Sequence, residues 1–255
     1  MSRIALEVTG PTALLRLENI AKLNALTVAM LDDLDRHLTA IERDTSIRAV
    51  ILTGEGEKAF CIGADITEWG GLSPAEFARH WVRDGHRVFD RLARLSKPTI
   101  AALNGHAFGG GLELAAACDL RVMTPRATLA LPEARVGVVP GWSGTQRLTR
   151  LIPEPLVKEM ALFGRRISAE RAAACGFAAG LVEDVLTLAR EMAAEVATLS
   201  PRATEISKNM IHAAVGEDAG ASIEALGSAA IAASDDRAEG VAAFVEKRKP
   251  VFEGL

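Results

Sequence analysis

Two short apolar stretches, Ile4–Val8 and Ala13–Leu17, flank a Gly10-Pro11 turn and predict a pair of strands. Thr27 follows as a helix cap. Leu31, Leu34, Leu38 and Ile41 then recur at helical spacing, with Asp32, Asp35, Arg36 and Glu42 off that face, so an amphipathic helix is predicted. Ala49–Leu52 is continuously apolar and short, the pattern of a strand covered on both faces. Gly54–Asp65 reads as a loop, Ser73–Leu95 as helical, Pro98–Leu103 as a second buried strand and Leu112–Cys118 as a short apolar helix. Leu120–Met123 and Thr128–Leu131 complete the strands, and little strand signal follows Thr145. From about Leu156 onward, amphipathic alanine-rich helices are separated by Gly164, Gly176, Gly180, Pro201 and Gly216.

Strand–helix alternation followed by helices predicts an α/β fold: a layered core with a helical C-terminal region. A helical region of this size either packs on that core or forms an oligomer surface. No fixed-period repeat and no low-complexity linker interrupts the 255 residues.

Composition narrows the function. The net charge of −4 argues against a global electrostatic grip on nucleic acid or an anionic membrane. There are 8 Phe, 3 Trp and no Tyr, so tyrosyl chemistry is excluded and an aromatic platform for single-stranded nucleic acid is not expected. Of the 45 alanines, 24 follow residue 160. Cys61, Cys118 and Cys175 form no CxxC pair and read as small buried hydrophobes. The five histidines show no metal spacing. Met1–Thr9 has no apolar leader, and Pro98–Leu112 is too short and polar to span a bilayer. The expectation is a cytoplasmic protein with no metal and no membrane contact.

Three segments carry candidate chemistry. Asn104-Gly105-His106-Ala107-Phe108-Gly109-Gly110-Gly111-Leu112-Glu113 follows a buried strand and opens a helix. Bare backbone and a helix N-terminus suit negative charge. The segment fails as a P-loop, because Gly111 stands where lysine is needed, and as a dinucleotide fingerprint, because Leu114 replaces the third small residue. A tight helix–strand turn is the plain alternative; Glu113 in the first helical turn favours a site. Glu133, in Leu131-Pro132-Glu133, precedes the glycine-rich turn Gly137–Thr145. Taken alone it reads equally well as an ion-pair partner of Arg135 or Arg126. Gly141-x-Ser143 lacks the second glycine of a nucleophile elbow. Lys58–Ile66 taken alone is an ordinary loop.

Together these stretches resemble the enoyl-CoA hydratase/isomerase (crotonase) family. The resemblance is carried by AKLNAL at 21–26, KAFCIGADI at 58–66, NGHAFGGGLELA at 104–115, LPEARVGVVPGWSGTQRL at 131–148 and DDRAEGVAAFVEKRKPVF at 235–252, in family order. It implies a spiral of ββα units over residues 1–195 and a helical trimerisation region over 196–255, assembled as a homotrimer or homohexamer. It implies a coenzyme A thioester substrate in fatty-acid metabolism, coenzyme A being part of the substrate and no separate cofactor being needed. The backbone N–H groups of Ala64 and Gly110 would form an oxyanion hole. Glu113 would activate water and Glu133 would deliver a proton to the α-carbon. Gly141 would help hold the water, Ala64–Thr67 (with Asp65 and Ile66) would line the CoA channel, and Lys22 would meet CoA phosphates. Phe244 and Lys247 would reach the CoA of a neighbouring subunit. The plain alternative for either lysine is an exposed, free cation.

Cys61-Ile62 and Trp142-Ser143 depart from the smaller residues usual in the family, which puts the acyl-chain preference in doubt. The expected activity is 2-enoyl-CoA hydration. The alternatives are an isomerase or other lyase on a specialised acyl-CoA, a non-catalytic acyl-CoA-binding subunit and, with few aromatics against it, a paired-carboxylate glycosidase.

Overall fold

Through the middle of this chain, successive strands alternate between two sheets, and that alternation builds the site. In the computed structural model, residues 2–216 and 235–254 are described. The side chains of residues 237, 241, 244 and 245 lie outside the description. The chain divides into two compact units, residues 1–204 and 205–255.

In the first unit, β1 (Arg3–Thr9) and β2 (Thr12–Glu18) form the expected antiparallel hairpin. They head a six-stranded sheet continued in parallel by β3 (Ala49–Gly54), β5 (Thr99–Leu103), β7 (Leu120–Met123) and β10 (Gly180–Leu181). The second sheet holds β4 (Ala59–Cys61), β6 (His106–Phe108), β8 (Thr128–Ala130) and β9 (Ile167–Ser168). β3 and β4, then β5 and β6, then β7 and β8 each contribute one strand to each sheet. The chain therefore climbs as a coil of strand pairs, with helices Arg83–Ala93 and Gly110–Ala116 following the first two pairs.

The continuous apolar runs have the cause expected of them. On β3, Val50 and Leu52 enter the main core while Ala49 and Ile51 face a second one. β5 divides likewise, Ala101 and Leu103 against Ile100 and Ala102. Val185, Ala189 and Ala193 of helix Val185–Ala197 cover the second face. Helix Val28–Arg43 starts at Thr27, whose hydroxyl accepts from the Met30 N–H, and it buries Leu31, Leu34, Leu38 and Ile41.

Four differences from the sequence expectations have local reasons. β4 and β6 are three-residue strands inside stretches read as loop and glycine turn, too short to leave a period. β9 and β10 have two residues each. The helix predicted from Leu112 already begins at Gly110, because the glycines open it. The region from Ser73 is broken by a π-helical turn at Phe77–Val82, where the backbone bonds run one residue further than in an α-helix.

The asparagines of two family-like stretches clamp one turn. Asn24, with left-handed backbone (φ 60°), donates from Nδ2 to the carbonyls of Glu55 and Ala59 (2.9 and 3.0 Å). Asn104 accepts from the Gly54 N–H through Oδ1 (3.0 Å) and donates from Nδ2 to the Gly56 carbonyl (2.7 Å). The 54–59 turn leads directly into β4 and the segment after it, so both clamps set where residues 62–65 stand.

In the second unit, helix Asp235–Glu246 ends at Lys247, which is left-handed (φ 55°). Arg248 pairs with Glu239 and Glu246. Asp236 accepts the N–H groups of Glu253 and Gly254. Residues 217–234, within the region expected to trimerise, lie outside the described residues.

Asn24→Ala should lower stability by about 1–3 kcal/mol, because the Glu55 carbonyl loses its Asn24 donor and the buried Ala59 carbonyl keeps only the longer bond from Asn104 (3.3 Å). Asn24→Asp, which keeps the acceptor and removes the donor, should not restore it. Chemical denaturation checks both, and a wild-type midpoint in either variant contradicts the clamp.

Candidate active site

Two backbone N–H groups are aimed into one cavity without carbonyl partners. Ala64 forms a single parallel bridge with Leu26, in which the Gly63 carbonyl and the Asp65 N–H bond to Leu26 (both 2.8 Å). The N–H of Ala64 between them therefore faces the other way. Gly110 is the first residue of its helix, and helix geometry leaves its N–H unbonded. Gly63 (φ 108°) and Gly109 (φ 50°) hold backbone conformations that L side chains rarely adopt. A Cβ on Gly63 would stand 3.4 Å from the Gly110 nitrogen, and one on Gly109 would stand 2.7 Å from Glu133 Oε1. Gly63 thus keeps the space at the Gly110 amide open, and Gly109 the space at the Glu133 carboxyl group.

The cavity has a volume of about 270 Å³ and contains Gly63, Ala64, Gly110, Glu113 and Glu133. Its walls are mostly apolar and include Ile62, Ile66, Trp69, Phe77, Trp81 and Trp142, with Arg135 also lining it. All three tryptophans of the chain thus stand at this one site. The π-helical turn contributes Phe77, Trp81 and Val82 together.

Glu113 is buried, and its Oε1 accepts from the N–H groups of Trp142 (2.9 Å) and Gly144 (2.8 Å). Burial raises its pKa. The N–H groups of Trp142, Gly144 and Gly141 and the charge of Arg147 oppose that rise. Arg147 is itself buried; it donates to the Trp142 carbonyl (3.0 Å) and pairs with Asp90, which fixes the turn cradling the carboxylate. Ser143, left-handed at φ 68°, shares its hydroxyl with His86 Nδ1 (2.8 Å).

Glu133 differs. Its Oε2 is buried without a hydrogen-bond partner. Burial, with the charge of Glu113 adding, pushes its pKa up to about 7, against the pull of its own backbone N–H. The ion-pair alternative for Glu133 is answered by the arginines: Arg126 pairs with Glu183, and Arg135 donates to the Gly164 carbonyl (2.8 Å). Two carboxyl groups of one pocket are thus held in different environments, the arrangement that separates an acid from a base.

The remaining candidates are distributed as follows. Ile66 lines the cavity, and the Gly141 N–H turns toward Glu113. Asp65 is buried; it caps helix Ile66–Trp69 through the Thr67 N–H and pairs with Lys22 (2.6 Å). Thr67 donates to Asp65 (2.8 Å) and accepts from Lys22 (3.3 Å). Lys22 stands in a groove that also holds Glu18, Glu55, Asp65 and Glu68, so it is neither free nor in a basic patch. Phe244 and Lys247 belong to the second unit, and the Phe244 side chain lies outside the described residues. Sequence reasoning missed Arg147, Asn24 and Trp81 as supports of the site. Their partners lie far along the chain, and only AKLNAL and GTQRL carried a trace of two of them. No metal-holding cluster of His, Cys, Asp or Glu occurs among the described residues, and no helix among them is long and apolar enough to cross a membrane.

The model of the family described as "Enoyl-CoA hydratase/isomerase" matches residues 8–255. The chain is 35% identical to the short-chain-enoyl-CoA hydratase of Clostridium acetobutylicum, covering 98% of this chain and 97% of that relative. It is 39% identical to the mitochondrial enoyl-CoA hydratase of Pongo abelii, covering 94% and 83%. Its fold is similar to the crystal structure of an enoyl-CoA hydratase from Bacillus anthracis, with a TM-score of 0.80, 36% identity and 99% of each chain covered.

Glu133 should titrate near pH 7, and Glu133→Gln should remove that step from a carboxyl-region infrared titration. The sign for stability follows. A carboxyl group whose pKa is raised on folding stabilises the fold fully only below its unfolded value near 4.5, and that contribution is lost as pH rises through about 7. Glu133→Gln should therefore gain up to about 3 kcal/mol over wild type at pH 8 and little at pH 4. A gain independent of pH contradicts the assignment.

Proposed function

The chain belongs to the enoyl-CoA hydratase/isomerase family and has the crotonase fold, and from that premise we propose that it is an enoyl-CoA hydratase, adding water reversibly across the 2,3-double bond of an enoyl-CoA thioester. The observation that carries this reading is the convergence of Glu113, Glu133 and the two unbonded amides on one apolar cavity.

The thioester oxygen accepts from Ala64 and Gly110. Negative charge grows on that oxygen as the double bond is attacked, so the two N–H groups hold the enolate-like transition state more tightly than the neutral substrate. The dipole of the helix that starts at Gly110 adds to its donor. Glu113, whose carboxylate form the surrounding N–H groups and Arg147 favour against the rise caused by burial, takes a proton from water. The water oxygen then bonds to the β-carbon. Glu133, protonated near neutral pH, gives its proton to the α-carbon. In dehydration each proton moves the opposite way. Apolar walls exclude bulk water, which strengthens these interactions.

Coenzyme A enters as part of the substrate, and the reaction needs no metal and no separate cofactor. Ile66 lines the CoA channel, and Asp65 and Thr67 hold the segment that carries it. Gly141 helps hold the attacking water. Lys22 meets CoA phosphates, bridged to the site by Asp65. Phe244 and Lys247 serve the CoA of a neighbouring subunit in a homotrimer or a homohexamer. The protein works in the cytoplasm, in fatty-acid metabolism, without nucleic-acid or membrane partners.

Crotonyl-CoA should lose its conjugated absorbance on addition of the protein. Glu113→Gln and Glu133→Gln should each lower turnover at least about a hundredfold. Hydration kcat/KM should fall as pH rises above about 7, where Glu133 loses its proton. A protein that moves the double bond of a 3-enoyl-CoA without hydrating crotonyl-CoA would be an isomerase, contrary to this reading.

A further inference from the structure

The cavity is closed at one end by the packed indoles of Trp142 and Trp81. Trp142 is 3% exposed, and Trp81 and Glu113 beside it are also buried. Ile66, Val136 and Val139, lining the same cavity, are all more than half exposed. Exposure thus grades from a mouth at Ile66, Val136 and Val139 to a blind end at Trp81 and Trp142. Beside the indole stands Glu113, whose Oε1 is already held by two N–H groups.

The indole is seated from both sides. Toward the cavity its six-membered ring stands over Gly110, where an added Cβ would lie 2.7 Å from Cζ3 and 3.0 Å from Cε3. It also packs on Trp81, a second wall of the cavity (ring centroids 5.2 Å), and, away from the cavity, edge-on against Phe89 (5.0 Å), and its Nε1–H donates to the Trp81 carbonyl (3.3 Å). Its seat exists because residue 85 has no side chain. A Cβ on Gly85 would overlap indole Nε1 and Cε2. Gly85 lies inside helix Arg83–Ala93, where alanine is the better helix former, so the glycine is accounted for by the ring above it. Behind the indole lies the packed core around Phe89, which would become an extension of the cavity without that ring.

We propose that Trp142 sets the acyl-chain length this enzyme accepts, restricting it to short, uncharged, apolar 2-enoyl groups, and that Gly85 is the complementary position that keeps the indole in place. The proposal rests on the hydratase reading of the site. The ring is rigid, packed and buried, so it cannot swing aside without breaking its contacts with Trp81 and Phe89. A longer chain meets it as a wall.

The test compares kcat/KM for crotonyl-CoA and dodec-2-enoyl-CoA in wild type, Trp142→Ala, Gly85→Ala and the double variant. Trp142→Ala should raise the dodecenoyl-to-crotonyl ratio at least about tenfold. Gly85→Ala alone should lower crotonyl-CoA kcat/KM at least about tenfold, because its methyl pushes the indole toward Gly110. In the Trp142→Ala background the same change should matter less than about twofold. An unchanged ratio in Trp142→Ala, or an equal effect of Gly85→Ala in both backgrounds, overturns the proposal. If Trp142→Ala does not fold, Trp142→Phe should shift the ratio in the same direction by less, and no shift there counts against it equally. If wild type hydrates neither ester, the hydratase reading fails instead. Calorimetric dissociation constants of butyryl-CoA and dodecanoyl-CoA for the same variants then decide the role of Trp142 on the same ratio.

Discussion

The site depends on two backbone N–H groups that the fold leaves unbonded inside an apolar cavity. A buried amide without an acceptor is normally avoided, because it loses its bonds to water and gains none in return. Here the neighbours of Ala64 are engaged by Leu26, and Gly110 opens a helix, so both donors are denied partners by the same geometry that fixes them. In the reaction proposed above, a thioester oxygen would supply the missing acceptor, and supply it best when negatively charged. Ground-state complementarity is thereby withheld for the transition state.

The coil of strand pairs places these donors beside the carboxyl groups. β4 delivers residues 62–65 from one strand pair, β6 delivers residues 109–113 from the next, and β8 runs into Glu133. Lying side by side in one sheet, the three strands bring segments from different parts of the chain to one edge. The clamps of Asn24 and Asn104 on the 54–59 turn, and of Arg147 on the Trp142 turn, act on the same geometry from outside the cavity. The difference between the carboxyls comes from these supports. Glu113 is cradled by N–H groups and a buried cation; Glu133 has an oxygen facing apolar walls with no partner.

Much of this was legible in the sequence, and what was not has physical causes. The runs in β3 and β5 read as buried strands because each feeds two cores, so no polar face interrupts them. The three-residue strands β4 and β6 carry no periodicity and sit among glycines needed for the site, so local signals pointed to loops. The π-helical turn at Phe77–Val82 has no composition of its own, because one residue of slippage in a helix leaves the pattern nearly intact. Glu113 and Glu133 were visible as candidates, but each was ambiguous alone. The arginines near Glu133 in sequence turn to Glu183 and Gly164 in space. Gly85 gave no reason for itself until the indole of Trp142 was found against it.

The two amides are tested most directly by the infrared difference spectrum of crotonyl-CoA, carbon-13 labelled at the thioester carbonyl and bound to the Glu113→Gln variant, in which turnover is slow. Two N–H donors polarise that carbonyl, so its stretching band should move to lower frequency than in buffer. A bound thioester whose band keeps its solution position would contradict the oxyanion hole, and with it the account of how this cavity works.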